Sequence, residues 1–236
     1  MNKDKKIRIL GLTLARGGSK SVPRKNIKPI DGIPLIGYTI SEALKSKHIT
    51  RYVVSTDDDE IRKVAIKCGA EVPFLRPSEL SKDESTSVVA MQHAVEWVEL
   101  QEKVEYDYVV ELMCTNPMKT VEDIDASIEK LISTKADSVI AVHQLEDHHP
   151  ARIKKIVDDK IIDFCIPEIP ESRRQDLKPE AFVRSGSIYA LRRDYLMIEG
   201  KRYGSSNSRP YILPPERAVN IDTEVDFMIA ELMMKK

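Results

Sequence analysis

Two periodicities alternate along this chain, and that alternation restricts its fold more than any other feature. Apolar, β-rich runs at residues 7–14, 52–56, 71–75, 108–113 and 138–142 are separated by stretches whose apolar residues recur at helical spacing. Leu35, Ile36, Ile40 and Leu44 form the first stripe, with Pro34 tolerated in its first turn. Ile61, Val64, Ala65 and Cys68 form the second, with Asp57 and Glu60 spaced as its cap and Gly69 as its stop. Val88, Met91, Val95 and Val98 make the third, and Ile124, Ile128, Leu131 and Ile132 the fourth, opened by Thr120 and Asp123. Strands alternating with helices of this length predict an α/β fold: three layers around a doubly wound, mostly parallel sheet, with its ligand site beyond the carboxyl ends of the strands. At 236 residues and 42% hydrophobic, the chain suits a single domain with one core.

The first strand runs directly into Ala15-Arg16-Gly17-Gly18-Ser19-Lys20, continued by Pro23-Arg24-Lys25-Asn26. Between Ile7 and Ile30 there are six basic residues and no acidic one, in a chain whose net charge is −1. That local excess predicts an anion site. Gly17 and Gly18 can adopt positive φ and present bare N–H groups as a nest, while Arg16, Lys20 and Lys25 add mobile charge, so a polyphosphate is the expected ligand. The P-loop and the dinucleotide fingerprint both require glycines that are absent here. The near-neutral total charge argues against nucleic acid and anionic membrane as partners. The mostly apolar run after Met1-Asn2-Lys3-Asp4-Lys5-Lys6 is too short for a secretion signal and no run reaches membrane-spanning length, so a cytoplasmic location is expected. Cys68, Cys114 and Cys165 are too scattered for a disulfide framework or a zinc knuckle.

The pattern breaks at about residues 143–184, where Pro150, Pro167, Pro170 and Pro179 punctuate short β-like pieces such as Ile161-Ile162-Asp163-Phe164. So long a stretch inside one domain is expected to be an inserted lid or a partner-binding arm. Residues 182–191 return to strand character, residues 209–213 are ambiguous, and residues 224–234 predict a last helix with Val225, Met228, Ile229, Leu232 and Met233 on one face.

The opening Ala15-to-Asn26 segment resembles that of the CMP-sialic acid synthetases, the cytidylyltransferases that activate nonulosonic acids, and the likeness runs through nearly the whole chain. Related CMP-Kdo synthetases open differently. The resemblance implies that CTP and a nonulosonic acid give a CMP-sugar and pyrophosphate. It assigns nucleotide binding to Ala15, Arg16, Gly17, Gly18, Ser19, Lys25 and Asn26, and catalysis to Arg16, Lys20, Lys25 and Asp222. In Leu75-Arg76-Pro77-Ser78, Arg76 would reach the cytosine, whose O2 and N3 accept guanidinium donors. Ser85 and Thr86 fit base and ribose contacts, and equally the start of the following helix. Met113-Cys114-Thr115-Asn116-Pro117-Met118-Lys119 stands where the family has Gln-Pro-Thr-Ser-Pro-Leu-Arg. Met113, Thr115 and Asn116 thus fall in the acceptor site, and the thioether in place of glutamine implies an acceptor substituent other than the usual N-acetyl. Within Glu146-Asp147-His148-His149-Pro150-Ala151-Arg152, the adjacent histidines make a poor zinc pair, and Arg152 replaces the family's lysine. Arg174, Gln175 and Tyr189 complete the acceptor set, Arg174 being the candidate for the acid's carboxylate. Asn220-Ile221-Asp222-Thr223-Glu224 is similar to an Asp-Ile-Asp-Thr-Glu metal motif, so Asp222 and Asn220 would hold Mg2+ or Mn2+ from one side of a strand; Thr223 and Glu224 fit equally as a helix cap. The family's arm implies a homodimer in which each arm closes over the other subunit's site. Two other readings are a nucleotidyltransferase for another, Kdo-like sugar acid and a non-catalytic CTP- or CMP-binding regulator; the retained Arg16, Lys20, Lys25 and Asp222 argue against the regulator.

Overall fold

The computed structural model describes residues 6–145 and 148–235; Glu146 and Asp147 of the His-His-Pro segment lie outside the described residues. β1 (Ile9–Leu14) leads through the basic loop to a short hairpin, β2 (Pro29–Ile30) and β3 (Ile33–Pro34), and α1 (Leu35–Lys45) returns the chain to β4 (Arg51–Ser55). α2 (Asp59–Lys67), α3 (Ser87–Glu102), β5 (Tyr108–Leu112), α4 (Val121–Thr134) and β6 (Ser138–Gln144) follow. A hairpin of β7 (Lys154–Val157) and β8 (Lys160–Asp163) precedes β9 (Phe182–Arg192), α5 (Arg193–Met197), β10 (Ser208–Ile212) and α6 (Glu224–Met234).

The main sheet has the order β10-β6-β9-β5-β1-β4. β9 runs antiparallel to β5 and β6, and the other pairings are parallel. Helices cover both faces. Ile36, Ile40, Ile61, Ala65, Ile124, Ile128 and Leu131 pack from α1, α2 and α4 on one side. Met91, Ala94, Val95 and Val98 pack from α3 on the other, against Leu10, Leu12 and Val109. This is the three-layer α/β architecture that the alternation predicts, and each fully buried Val, Leu, Ile or Met among these side chains is worth about 1.5–3 kcal/mol. A third apolar cluster fixes the basic loop: Val22, Ile30 and Leu35 pack against Ile221, Phe227 and Ala230 near the other end of the chain.

Several expectations are corrected. Residues 71–75 form two isolated bridges to β4 and its end instead of a strand, because Pro73 lacks the N–H a ladder needs. Residues 208–212 are a strand, and Pro210 is tolerated there because β10 is at the sheet edge. Asp58, and not Asp57, caps α2, accepting the Ile61 N–H at 2.9 Å. The proline-broken segment does contain regular structure: β7 and β8 join through Asp158 and Asp159, both in the left-handed region, as a tight hairpin turn requires. Ile156, Ile161, Phe164 and Ile169 of this arm are exposed. On α6, Phe227 and Ala230 face the protein, while Val225, Met228, Ile229, Leu232 and Met233 face outward.

One cation is buried whole. Lys119 lies in the loop between β5 and α4, 1% exposed, and its ammonium donates to Thr39 Oγ1 at 2.8 Å, Met113 O at 2.7 Å and Asn116 O at 2.5 Å. Burial pulls its pKa down from 10.5 to about 7. In the window between these values the unfolded chain holds a proton that the folded chain has released, so this residue makes stability rise with pH. Lys119→Met should abolish that rise and, by orphaning three acceptors, cost about 2–4 kcal/mol at neutral pH. Thermal melts of both proteins at pH 7 and pH 9 test this; parallel melting-temperature shifts would count against it.

Candidate active site

A cavity of about 270 Å3 opens where β1 and β5 end and α3 begins. Its wall includes Arg16 and Asn26 from the basic loop, Arg76, Ser85 and Thr86 from the approach to α3, and Glu111, Met113 and Thr115 from β5 and its continuation. The loop is held by its backbone: Ala15 N–H donates to Ser55 O at 3.0 Å, and the Asn26 side-chain amide donates to Arg16 O at 3.1 Å. Neither Gly17 nor Gly18 has positive φ, so the expected nest is not formed by those two residues; Arg24 takes the left-handed conformation instead. Gly17 is needed for close approach, since a Cβ there would stand 2.7 Å from Asp58 Oδ2.

The basic loop is unopposed in sequence but not in space. Arg16 Nη1 donates to Asp83 Oδ1 at 2.9 Å, and Lys20 takes the other oxygen of the same carboxylate, which together hold Asp83 below the usual carboxylate range. Arg24 makes a two-pronged contact with Asp58 at 2.6 and 2.9 Å, which pushes that carboxyl down to about 2 and ties the loop to the cap of α2. Lys28 pairs with Glu224 at 2.6 Å. Lys25 Nζ donates to Ile221 O at 2.7 Å and stands 3.7 Å from Asp222. Of these acids Asp83 lines the cavity, so two of the residues expected to bind phosphate, Arg16 and Lys20, are already paired with a carboxylate at its wall.

Arg76 is buried, and burial pulls its guanidinium below the ordinary arginine range. Its Nε donates to Ser81 Oγ at 2.9 Å, and Asp57, 3.6 Å away, also accepts the Gly17 N–H at 3.1 Å. Asp57 thus joins the loop to Arg76, a role that its place beside the α2 cap conceals in the sequence. Ser85 Oγ donates to Glu79 O, whereas the Thr86 hydroxyl makes no cap bond at the start of α3.

Of the residues expected to meet the acceptor, Met113 and Thr115 line the cavity, and Thr115 Oγ1 is buried without a partner among the described residues. Asn116 is fully buried, and its amide is taken by Arg217 O and the Lys119 N–H, which makes it a strut of the wall. Tyr189 is buried, paired across the sheet with Glu111, and stacked under Arg202 at 4.0 Å. Arg202 Nη1 in turn meets Glu111 Oε2 at 2.5 Å. Glu111 and Arg202 escaped the sequence reading; the available signal was an acid inside a strand with apolar residues on both sides. Arg152 lies on the arm, bonded to Ser172 O at 3.0 Å, and Arg174 and Gln175 line a second cavity with Gln144, His149 and Lys178. Within one chain these three are not brought to Arg16.

The Asn220–Asp222 segment is not a strand, yet the two side chains meet: Asn220 Nδ2 donates to Asp222 Oδ2 at 2.6 Å. Ile221 N–H donates to Thr115 O at 2.7 Å and Ser21 Oγ to Asp222 O at 2.5 Å, fixing the segment to the cavity wall and the loop. Asn220 Oδ1 is buried and without a partner among the described residues, and the Asp222 side chain is 69% exposed. Among the described residues no cluster of three or more His, Cys, Asp or Glu could hold a metal. A carboxylate beside an unsatisfied amide oxygen still fits a hard divalent cation that takes its other ligands from phosphate and water. Thr223 and Asp226 form the capping box of α6.

The Cytidylyltransferase family model matches residues 10–204. The pseudaminic acid cytidylyltransferase of Campylobacter jejuni is 33% identical over 94% of this chain and 94% of its own length. The CMP-N,N'-diacetyllegionaminic acid synthase of the same species is 31% identical, covering 96% and 94%. N-acylneuraminate cytidylyltransferase A of Danio rerio is 32% identical over 94% of this chain and 50% of its own. Among solved structures, a CMP:2-keto-3-deoxy-manno-octonic acid synthetase complexed with CTP superimposes with a TM-score of 0.70 at 19% identity, covering 96% and 98% of the two chains. At that identity the likeness establishes the fold.

Asp83→Asn frees Arg16 and Lys20, so it should tighten binding of inorganic tripolyphosphate several-fold in calorimetric titration, while Arg16→Ala weakens it. Equal affinities in all three proteins would separate this loop from anion binding.

Proposed function

Because this chain belongs to the cytidylyltransferase family, we propose that it activates a nonulosonic acid with CTP, forming the CMP-sugar and releasing pyrophosphate. The observation that carries this reading is one cavity, at the carboxyl ends of parallel strands, lined by Arg16 and Asn26 of the basic loop, by the buried Arg76, and by Met113 and Thr115. The C2 hydroxyl oxygen of the acid forms the new bond to the α-phosphorus as the bond to the β-phosphate oxygen breaks; pyrophosphate leaves with that oxygen, and the hydroxyl proton passes to water. Catalysis of such a transfer is mainly alignment and neutralisation of charge. Arg16, Lys20 and Lys25 bind the triphosphate, and Asp83 yields to it. Arg76 binds cytosine through guanidinium donors, with Ser85 and Thr86 beside it. Met113 and Thr115 shape the acceptor side, and Tyr189 supports it from beneath.

Asp222 and Asn220 hold Mg2+ or Mn2+. When bound, the ion adds positive charge against the phosphates. The arm of one subunit, with its exposed Ile156, Ile161 and Phe164, packs on a second copy and delivers Arg152, Arg174 and Gln175 to the partner's acceptor. Light scattering reads that assembly, and a fully active monomer refutes it. No helix among the described residues is long and apolar enough to cross a membrane.

Pyrophosphate release from CTP, measured with N-acetylneuraminic, pseudaminic, N,N'-diacetyllegionaminic and Kdo acids, tests the function. Turnover with one of the first three supports the reading; turnover with Kdo alone, or none with CTP binding intact, overturns it. Asp222→Asn should reduce turnover at least a hundredfold in magnesium and leave CTP affinity within a few-fold, since the basic loop is untouched. An unaltered magnesium titration would remove Asp222 from the ion.

A further inference from the structure

We propose that Glu111, set by Arg202, is the specificity residue of the acceptor half of the cavity, and that it accepts a hydrogen bond from an N–H or O–H group of the sugar acid. This rests on the functional reading above. Glu111 lies in β5 between Val110 and Leu112, and is 1% exposed. A carboxylate there loses its hydration and must be compensated. Arg202, from the loop after α5, supplies the compensation through Oε2, its own side chain being only 14% exposed. The guanidinium is stacked over Tyr189 at 4.0 Å with Tyr203 at 5.9 Å, and Arg184 covers the far part of Tyr203 at 4.3 Å.

Replacing such a pair by apolar residues is commonly neutral or stabilising, so the fold alone gives little reason to keep it. The pair is also incomplete. The hydrogen bond from Arg202 is the one that Glu111 accepts among the described residues, and it uses Oε2. Oε1 is left with unused acceptor capacity on a residue that lines the cavity beside Met113. A carboxylate oxygen that faces the cavity calls for a donor on the ligand, because an acceptor left unmet once a ligand has displaced its water is costly. Phosphates would be repelled by it. The base is provided for by Arg76 and the residues around Ser85. What remains is the acceptor, next to a thioether that offers no strong hydrogen bond of its own. A site built to take a donor rejects analogues that lack it far more strongly than an apolar pocket discriminates by size.

The test uses Glu111→Gln and the double variant Glu111→Leu/Arg202→Met, which leaves no unpaired buried charge. Pyrophosphate release is followed while CTP and the best acceptor of the panel are varied separately, and the acceptor is also replaced by hydroxy and deoxy analogues of its acylamino positions. In both variants the acceptor KM should rise tenfold or more with the CTP KM within about twofold. A deoxy analogue should be discriminated against by wild type and not by the double variant, and the hydroxy analogue tells which donor is read. A raised CTP KM with an unchanged acceptor KM would place Glu111 at the ribose and overturn the inference. So would unchanged constants for both substrates, or loss of folding in both variants, which would make the pair structural. Absence of wild-type turnover with every acid overturns the functional reading, and this inference with it; turnover with unmoved acceptor constants overturns this inference alone.

Discussion

The three hydrogen bonds of the Lys119 ammonium are the joint on which the rest of the site depends. Through Met113 O and Asn116 O they fix both ends of the wall that follows β5, and through Thr39 they brace that wall on α1. Between those points Thr115 O takes the Ile221 N–H, and Ile221 O takes Lys25 Nζ. One buried lysine therefore links the wall that follows β5, the Asn220–Asp222 segment and Lys25 of the basic loop. The wall presents three acceptors, and the protonated amine, which the folded chain holds below about pH 7, has one donor for each.

The same segments are brought together a second time by packing. Val22 in the loop and Phe227 on α6 share an apolar cluster with Ile221, so the first and last parts of the chain close on each other beneath the site. Lys28 joins this contact by lying 4.2 Å over the Phe227 ring while pairing with Glu224. Hydrophobic burial gives the loop its location and the surrounding acids give its cations their directions, which is the preorganisation that charge-neutralising catalysis requires.

The layers were legible in the sequence because period and capping agree: the Thr120–Asp123 box opens α4, and the stripes of α1 to α4 contribute the side chains of the two cores. The place of β9 was not legible. It enters the sheet antiparallel between β5 and β6 after a long excursion, and nothing local in residues 182–192 encodes its neighbours. The outward face of α6 likewise has the same spacing as a buried one, and only packing tells them apart. For the site, the local motifs around Arg16, Arg76 and Met113 could be found because each is contiguous. Asp83, Arg202 and Glu111 could not, because their meaning lies in pairings across long sequence separations.

The counter-charge at Asp83 alters how the cavity responds to its surroundings. A groove of bare lysines and arginines attracts mobile anions, and a ligand entering it displaces them, so its affinity falls steeply as salt is added. Here the displaced partner of Arg16 and Lys20 is a tethered carboxylate whose concentration does not change with the medium. A polyphosphate bound there would displace a tethered anion instead of mobile ones, so its affinity would fall less steeply with salt than in a bare basic groove.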